Sequence, residues 1–201
     1  DSSSVDLSLA KKQAVGNSAF DKIETGRTDA SNSACTGNIS VPGNIIQINF
    51  IAEKAGTFDF GLCAQSCSNG GLDSSEVSDL LEFNLNDEKI EDVSGTINKA
   101  CKGTNKWKDM VNWTDLTIKT GLTLKKGENK ITIKFTDKVT ESGTVRAPNF
   151  DYFTFNVTSL SNTEQEKTIS SISIKEGMDT SYSLNEDFKG GTLIAVSYTH
   201  L

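Results

Sequence analysis

Between Leu122 and Phe135 the apolar side chains fall on every second position, 122 and 124 and then 131, 133 and 135, with the polar run Lys125-Lys-Gly-Glu-Asn129 between them. A repeat of two sends alternate side chains to opposite faces of an extended chain, so each run presents one apolar face. The polar run contains Gly and Asn and offers nothing to bury, which predicts a turn joining two antiparallel strands as a hairpin. A sheet of this kind rests one face on a core and leaves the other in water.

The same repeat returns along the chain. Ile46, Ile48 and Phe50 alternate with polar neighbours, and a short Ala-Gly turn leads to Phe58, Phe60 and Leu62, predicting a hairpin in the core. Leu81 to Leu85 alternates in the same way, with Asn86-Asp87 as a turn before Ile90. A further strand starts near Trp113, runs through Leu116 and Ile118, and is interrupted by Gly121. Residues 7 to 15 carry a weak helix-like pattern and read as an edge strand or an irregular lead-in. Short strands separated by turn signals predict an all-β fold, an antiparallel β-sandwich of the jelly-roll kind.

A compact unit of ~150 residues already buries about 70% of its unfolded surface. The 201 residues here therefore suggest one full domain and a fragment of another. With 27 Asp and Glu against 20 Lys and Arg, the net charge of −7 argues against nucleic acid, whose non-specific affinity comes from clustered cations. No apolar run approaches the ~20 residues of a membrane span, so membrane insertion is not expected. Abundant Ser, Thr, Asn and Gly, with two Pro and one His, match a secreted or cell-surface module, and the start Asp1-Ser-Ser-Ser suggests a piece of a longer protein.

Cys35, Cys63, Cys67 and Cys101 allow three pairings if all are oxidised. An extended Cys63 to Cys67 would separate the Cα atoms by ~13 Å, against the roughly 4.4 to 6.8 Å of a disulfide. A Cys63–Cys67 bridge thus needs the strand to end at Ala64-Gln65-Ser66, for which Ser68-Asn-Gly-Gly71 supplies a turn. Cys35 and Cys101 fall in predicted loops and make the expected second bridge. Free thiols are the competing reading, and a zinc site lacks paired ligand knuckles.

No nucleophile elbow, phosphate loop or HExxH stands in the chain, and there is no His placed for a triad. Carboxylates are too numerous to exclude a glycosidase pair by counting.

The order of features Ala55-Gly-Thr-Phe-Asp-Phe-Gly-Leu62, Leu81-Glu-Phe-Asn-Leu-Asn-Asp87, Trp113-Thr-Asp-Leu116, Leu124-Lys-Lys-Gly-Glu-Asn-Lys-Ile131 and Pro148-Asn-Phe-Asp-Tyr152 resembles carbohydrate-binding modules of families 6 and 35. The resemblance covers residues 5 to 158 and implies a galactose-binding-like β-sandwich that binds a polysaccharide or glycan. It implies that the amide of Asn149 hydrogen-bonds a sugar hydroxyl. Trp107, between Lys106 and Lys108 in the loop before the Trp113 strand, matches the aromatic platform. Asp151 matches a position that contributes to a structural calcium. The chain departs from the pattern in two places. The Glu-rich first strand of the family corresponds to Leu7-Ser-Leu-Ala-Lys-Lys12, which lacks hard oxygen ligands, and Glu24 to Ser40 contains no aromatic residue. In that second loop Arg27, Asp29 and Asn32 offer polar contacts instead. A pyranose presents one face of C–H groups and a rim of hydroxyls, so an indole and an amide suffice as a minimal site.

After Val157 the polar run 159–167 reads as a linker, and Ile169 to Phe188 resembles the opening of a bacterial Ig-like domain. About 34 residues cannot close such a sandwich. The expected organisation is a sugar-binding sandwich over 1–158, a linker over 159–167 and a truncated Ig-like β segment over 168–201. The final Val196-Ser-Tyr-Thr-His-Leu201 reads as a translated cloning adapter, leaving His200 without a mechanistic role. The function expected is that of a monomeric, non-catalytic module that tethers a larger secreted glycosidase, its catalytic domain in the same parent chain, to polysaccharide. The alternative is a structural or adhesive spacer of a bacterial surface protein that binds no sugar.

Overall fold

The structure is a computed structural model that describes residues 4–14, 22–65, 74–98, 113–141 and 145–161, with short strands at 171–172, 182–183 and 192–195. Its elements in chain order are β1 (Ser4–Asp6), β2 (Ile23–Thr25), β3 (Ala34–Thr36), β4 (Ile45–Ala52), β5 (Gly56–Gln65), β6 (Ser74–Glu76), the single turn α1 (Val77–Leu80), β7 (Leu81–Leu85), β8 (Glu88–Lys89), β9 (Thr96–Asn98), β10 (Thr114–Leu124), β11 (Gly127–Phe135), β12 (Asn149–Leu160), β13 (Ser171–Ile172), β14 (Tyr182–Ser183) and β15 (Thr192–Ala195). Two antiparallel sheets, β1-β4-β11-β7-β8 and β10-β5-β12-β15, make the sandwich. The all-β fold class read from the sequence is the fold of the chain.

The core between the sheets is filled by the alternating apolar positions. Ile46, Ile48, Ile131, Ile133 and Phe83 come from one sheet and Phe58, Phe60, Leu62, Phe153 and Phe155 from the other, all buried. Phe60 meets Phe83 edge-on with ring centroids 6.1 Å apart, and Phe50 meets Phe58 edge-on at 5.8 Å. Edge-to-face packing aims the positive rim of one ring at the negative face of the next.

Two expected hairpins are not hairpins. β4 pairs with β1 and β11, whereas β5 pairs with β10 and β12, so residues 53–55 carry the chain from one sheet to the other. Likewise β10 and β11 lie in different sheets, and only Lys125 and Lys126 connect them. Alternation tells that a strand has one buried face but not which strand it pairs with, and a sandwich needs connections that change layer. The polar run expected to be a solvated turn is mostly strand. Asn129 is 2% exposed; its side-chain oxygen accepts from Lys125 N at 3.1 Å and its Nδ2 donates to the carbonyls of Lys125 and Gly127. The buried amide thus replaces the ladder that a hairpin would have supplied.

The β7–β8 connection is the expected hairpin. Asn86 and Asp87 both take positive φ, 52° and 69°, as the two-residue turn that matches strand twist requires. Gly121 does not end its strand: β10 continues to Leu124 through register shifts, with Gly121 at φ 68° donating its N–H to Asp59 Oδ1. Residues 7–14 are irregular after β1, as a lead-in. In the C-terminal region β13 pairs with β14, and β15 adds to the edge of β12 with Phe153 opposite Ala195 and Asn156 opposite Thr192. The rest of the segment expected to begin an Ig-like domain lies outside the described residues.

Cys35 and Cys63 are buried free thiols, so neither expected bridge is present. Cys67 and Cys101 lie outside the described residues. β5 remains strand through Gln65, leaving no room for the turn at Ala64 and Gln65 that a Cys63–Cys67 bridge needed.

Candidate functional site

The site is built on the outer face of the β10-β5-β12 sheet. On β5 the even positions Phe58, Phe60, Leu62 and Ala64 join the core, which turns Cys63 and Gln65 outward. Thr114 is opposite Ala64, and Asn149 is opposite Gln65. Trp113, one residue before β10, therefore borders Gln65 from the other side. The end of the sheet carries a row Trp113, Gln65, Asn149, followed one step inward by Asp115, Cys63 and Tyr152, in which Asp115 and Tyr152 both pair with Cys63. Tyr152 OH donates to Asp115 Oδ1 at 2.5 Å across the strand between them.

The segment 24–36 is fastened to β12 and to Trp113, which leads into β10. On the β12 side Ser31 N donates to both carboxylate oxygens of Asp151, at 3.0 and 2.9 Å, and Thr36 Oγ1 accepts from Phe150 N at 2.8 Å. On the β10 side the Trp113 indole N–H donates to Asp29 Oδ2 at 3.2 Å, and the Arg27 guanidinium lies over the same indole, 5.9 Å from its centroid. Arg27 holds Asp29 through two parallel bonds, Nε to Oδ1 at 2.9 Å and Nη2 to Oδ2 at 2.7 Å, and reaches Glu24 Oε2 at 3.0 Å with Nη1. Paired forks of this kind are both strong and directional. Glu24 fits because Gly37 has no side chain: a Cβ there would stand 2.4 Å from Glu24 Cγ.

Beneath this segment Gln65 is fully buried, its amide close enough to Asp29 to act on that carboxylate but not aligned for a full hydrogen bond. Asn149 is half-buried and makes no side-chain hydrogen bond among the described residues. Trp113 is also half-buried.

Burial raises the Asp151 and Glu24 carboxyls, in Glu24 against the opposing charge of Arg27. Asp29 moves the other way: burial would raise it, but the hydrogen bond and charge of Arg27, its own backbone N–H and the neighbouring Gln65 amide hold it below the usual carboxylate range. Arg27 is raised despite its burial, by the hydrogen bonds it donates to Asp29 and by the surrounding negative groups. Burial pushes the thiols of Cys35 and Cys63 up to about 12, so neither is a nucleophile at neutral pH. Tyr152 is raised by burial and by the hydrogen bond to Asp115.

Of the residues singled out from the sequence, Asn149 stands in the row with its amide open. Arg27 is 7% exposed and engaged with Asp29, Glu24 and Trp113, so it supports the site from beneath and is not the open contact that was expected. Asn32 is exposed at φ 50° in the 3-10 turn Ser31–Ser33, beside the Asp151 anchor. Trp107 lies outside the described residues. Asp151, expected as a calcium ligand, turns both oxygens to a backbone N–H, and no group of three or more His, Cys, Asp or Glu gathers for a metal among the described residues. A calcium ion wants six or more oxygens, and the described donors at Asp151 do not fit one.

Trp113, Gln65 and Tyr152 were not anticipated. Parity held a signal for Trp113: with Leu116 and Ile118 inside, odd positions of β10 point outward, which sets Trp113 beside Asp115 and Thr117 and away from the core. Gln65 had the same signal from β5, but only the packing of 24–36 makes it buried.

No family model matches the chain, and no curated protein matches it. Among solved structures, a family 35 carbohydrate-binding module from Clostridium thermocellum is similar at 16% identity over 65% of this chain and 83% of that one, with a TM-score of 0.45. A family 35 module, Xyl-CBM35, in complex with a glucuronic-acid-containing disaccharide is similar at 15% identity over 79% of this chain and 100% of that one, TM-score 0.45. A β-mannanase from Podospora anserina that joins a family 26 glycoside hydrolase to a family 35 module is similar at 10% identity over 80% of this chain and 29% of that one, TM-score 0.47. Family 35 is one of the two families that the order of motifs resembles. At this distance the sandwich rests on the strand order and register of the chain itself.

Proposed function

We propose that the chain is a non-catalytic carbohydrate-binding module whose site is the end of the outer sheet face, with Trp113 and Asn149 as its sugar contacts and Trp107 as the further aromatic expected from the sequence. The observation that carries this reading is the row itself. An indole fixed by Arg27 and Asp29 and an open amide stand on either side of β5 at the same end of one sheet. The indole suits the C–H face of a pyranose, and the amide offers a donor and an acceptor to neighbouring hydroxyls. Both are held by rigid elements, so little freedom is lost on binding. The two described thiols are raised out of nucleophilic range, which agrees with a binding role.

The module belongs in this reading to a secreted or cell-surface glycosidase, in which it raises the local concentration of a catalytic domain on polysaccharide. Tethering gains from effective concentration and tolerates a weak single site. Exposed Asn32 and the 31–33 turn form the rim, while Arg27 sets the indole.

The test is a binding screen of the 201-residue chain against plant, host and microbial glycans, with Trp107→Ala, Trp113→Ala and Asn149→Ala in parallel and an EDTA arm. Micromolar to millimolar binding corresponds to about 4–8 kcal/mol, so loss of one stacking contact should remove most of the signal. Binding that falls with Trp113→Ala and Asn149→Ala and survives EDTA is the expected result. Absence of binding to every glycan would instead favour a structural spacer.

A further inference from the structure

We infer that residues 22–37 form a latch, a hairpin that opens as a unit while the sandwich stays folded and whose closing seats the Trp113 indole. Its bonding is the first reason. β2 and β3 pair with each other, from Ile23 opposite Thr36 to Thr25 opposite Ala34, and with neither sheet of the sandwich. Gly37 N donates to the Lys22 carbonyl at 2.8 Å to close the base, and Arg27 N donates to the Ser33 carbonyl at 2.9 Å nearer the tip. The bonds from Arg27 to Asp29 and Glu24 also begin and end inside the hairpin. All of these survive if it lifts away whole.

The seam beneath it is the second reason. Ile23 is the one apolar residue of the segment that packs against the core, while Ala30, Ala34 and Cys35 are buried outside that cluster. The segment meets the sheet end through polar groups: Ser31 N on Asp151, Thr36 Oγ1 on Phe150 N, and Asp29 with Arg27 on Trp113. Opening gives these groups to water and exposes little apolar area, so it costs less than parting two sheets joined by apolar area. A unit of this kind opens below the free energy of global unfolding. Asp29 and Arg27 both belong to the hairpin, so the indole keeps these contacts in the closed form alone. The consequence for ligands rests on the carbohydrate-binding reading above: a sugar stacked on the seated indole favours closure, and open molecules lower its apparent affinity.

The test is native-state labelling of the 201-residue chain with N-ethylmaleimide, resolved by peptide mass spectrometry, together with residue-resolved hydrogen exchange. Cys35 is fully buried against the Arg27 guanidinium, so its labelling reports opening. The amides of Ser31 and Phe150 should be protected at least about a hundredfold less than amides at the centres of β5 and β11. Cys35 labelling should depend only weakly on urea, because little surface is exposed. Ser31→Pro removes the N–H given to Asp151, and Ala30 before it is already extended at φ −102° and ψ 155°, as a residue before proline must be. This variant should speed Cys35 labelling about tenfold, keep the urea midpoint of the sandwich, and shift Trp113 emission in a Trp107→Phe background. Thr36→Val, which removes the hydroxyl on Phe150 N, should act in the same direction and serves if Ser31→Pro does not fold. Labelling and exchange that follow global unfolding with its steep urea dependence overturn the latch. Faster labelling with unmoved Trp113 emission overturns its hold on the indole. In the glycan screen Ser31→Pro should weaken binding several fold, and unchanged binding overturns the coupling to ligand. No binding by the parent chain overturns the carbohydrate-binding reading and that coupling with it, and the latch itself is then decided by the labelling.

Discussion

On their inner faces β5 and β12 carry Phe58, Phe60, Leu62, Phe153 and Phe155, whereas on their outer faces the same two strands carry Cys63, Gln65, Asn149 and Tyr152. The inner face is closed by the opposite sheet, and its energy comes from apolar area that any well-shaped apolar neighbour supplies. Among the described residues the outer face is closed at one end by the segment 24–36 through named pairs: Arg27 with Asp29, Asp29 with Trp113, Ser31 with Asp151, Thr36 with Phe150. Directional pairs fix positions more sharply than area does, and a buried pair left incomplete is costly. One face therefore holds the fold together, and the other sets the indole and amide of the site.

Substitutions that damage one face and spare the other would sharpen this contrast. The largest effect is expected at Phe60, fully buried against Phe83, Phe153 and Phe155. Phe60→Ala should cost about 3–5 kcal/mol, seen as a lower midpoint in urea, with no change in sugar preference in what remains folded. Arg27→Ala comes next. Removing the cation strands Glu24 and Asp29 and should cost about 3 kcal/mol, and the Trp113 fluorescence should shift as the indole loses its support; a stable variant with unshifted emission would break the assignment of Arg27 as the residue that sets Trp113. Asn129→Ala should cost about 1–3 kcal/mol through the lost bonds at the β10–β11 crossing, measured by thermal melting, and leave Trp113 emission unchanged.

The outer face also carries the pH response. Burial raises Asp151, so the folded chain binds its proton more tightly than the unfolded chain. Stability contributed by this group therefore grows as pH falls through the window just above the ordinary carboxylate range. Asp29 is lowered and acts with the opposite sign, so its contribution is present above the ordinary range and is lost as pH falls. Glu24 is raised like Asp151, so Asp151→Asn should weaken the first trend without abolishing it, giving a steeper loss of stability on acidification in urea melts at stepped pH; an unchanged slope would count against the burial of Asp151. The smallest stability effect belongs to Asn149→Ala, within about 0.5 kcal/mol, although sugar binding should drop with it.

Much of the inner face was legible in advance. Alternation at 46 to 50, 58 to 62, 81 to 85 and 131 to 135 named core positions correctly, because burial on one side of a strand is written in every second residue. The same signal did not say that 122–124 and 131–135 belong to different sheets, since a polar Gly-containing run between strands looks alike whether the chain reverses within a sheet or crosses between two. The outer face was legible only in fragments. Asn149 was picked out by a motif, and Arg27 was noticed, but its donors are taken up by carboxylates two and three residues away. Trp113 opens an apolar strand, a pattern that suggests a core residue, although its parity with Asp115 points outward.

Sequence by itself determined that this chain makes an antiparallel sandwich with phenylalanines inside, because the two-residue repeat and the hydrophobic effect act on local patterns that need no knowledge of distant partners. It also determined the Asn86-Asp87 hairpin, since both positions must take positive φ and those residue types tolerate it. Only the tertiary structure decided which strands pair, that Cys35 and Cys63 stay free, and that residues 24–36 come to rest on the sheet end. Those outcomes depend on contacts between residues far apart in the chain, such as Ser31 with Asp151 and Asp29 with Trp113, and no local pattern encodes the distance between them.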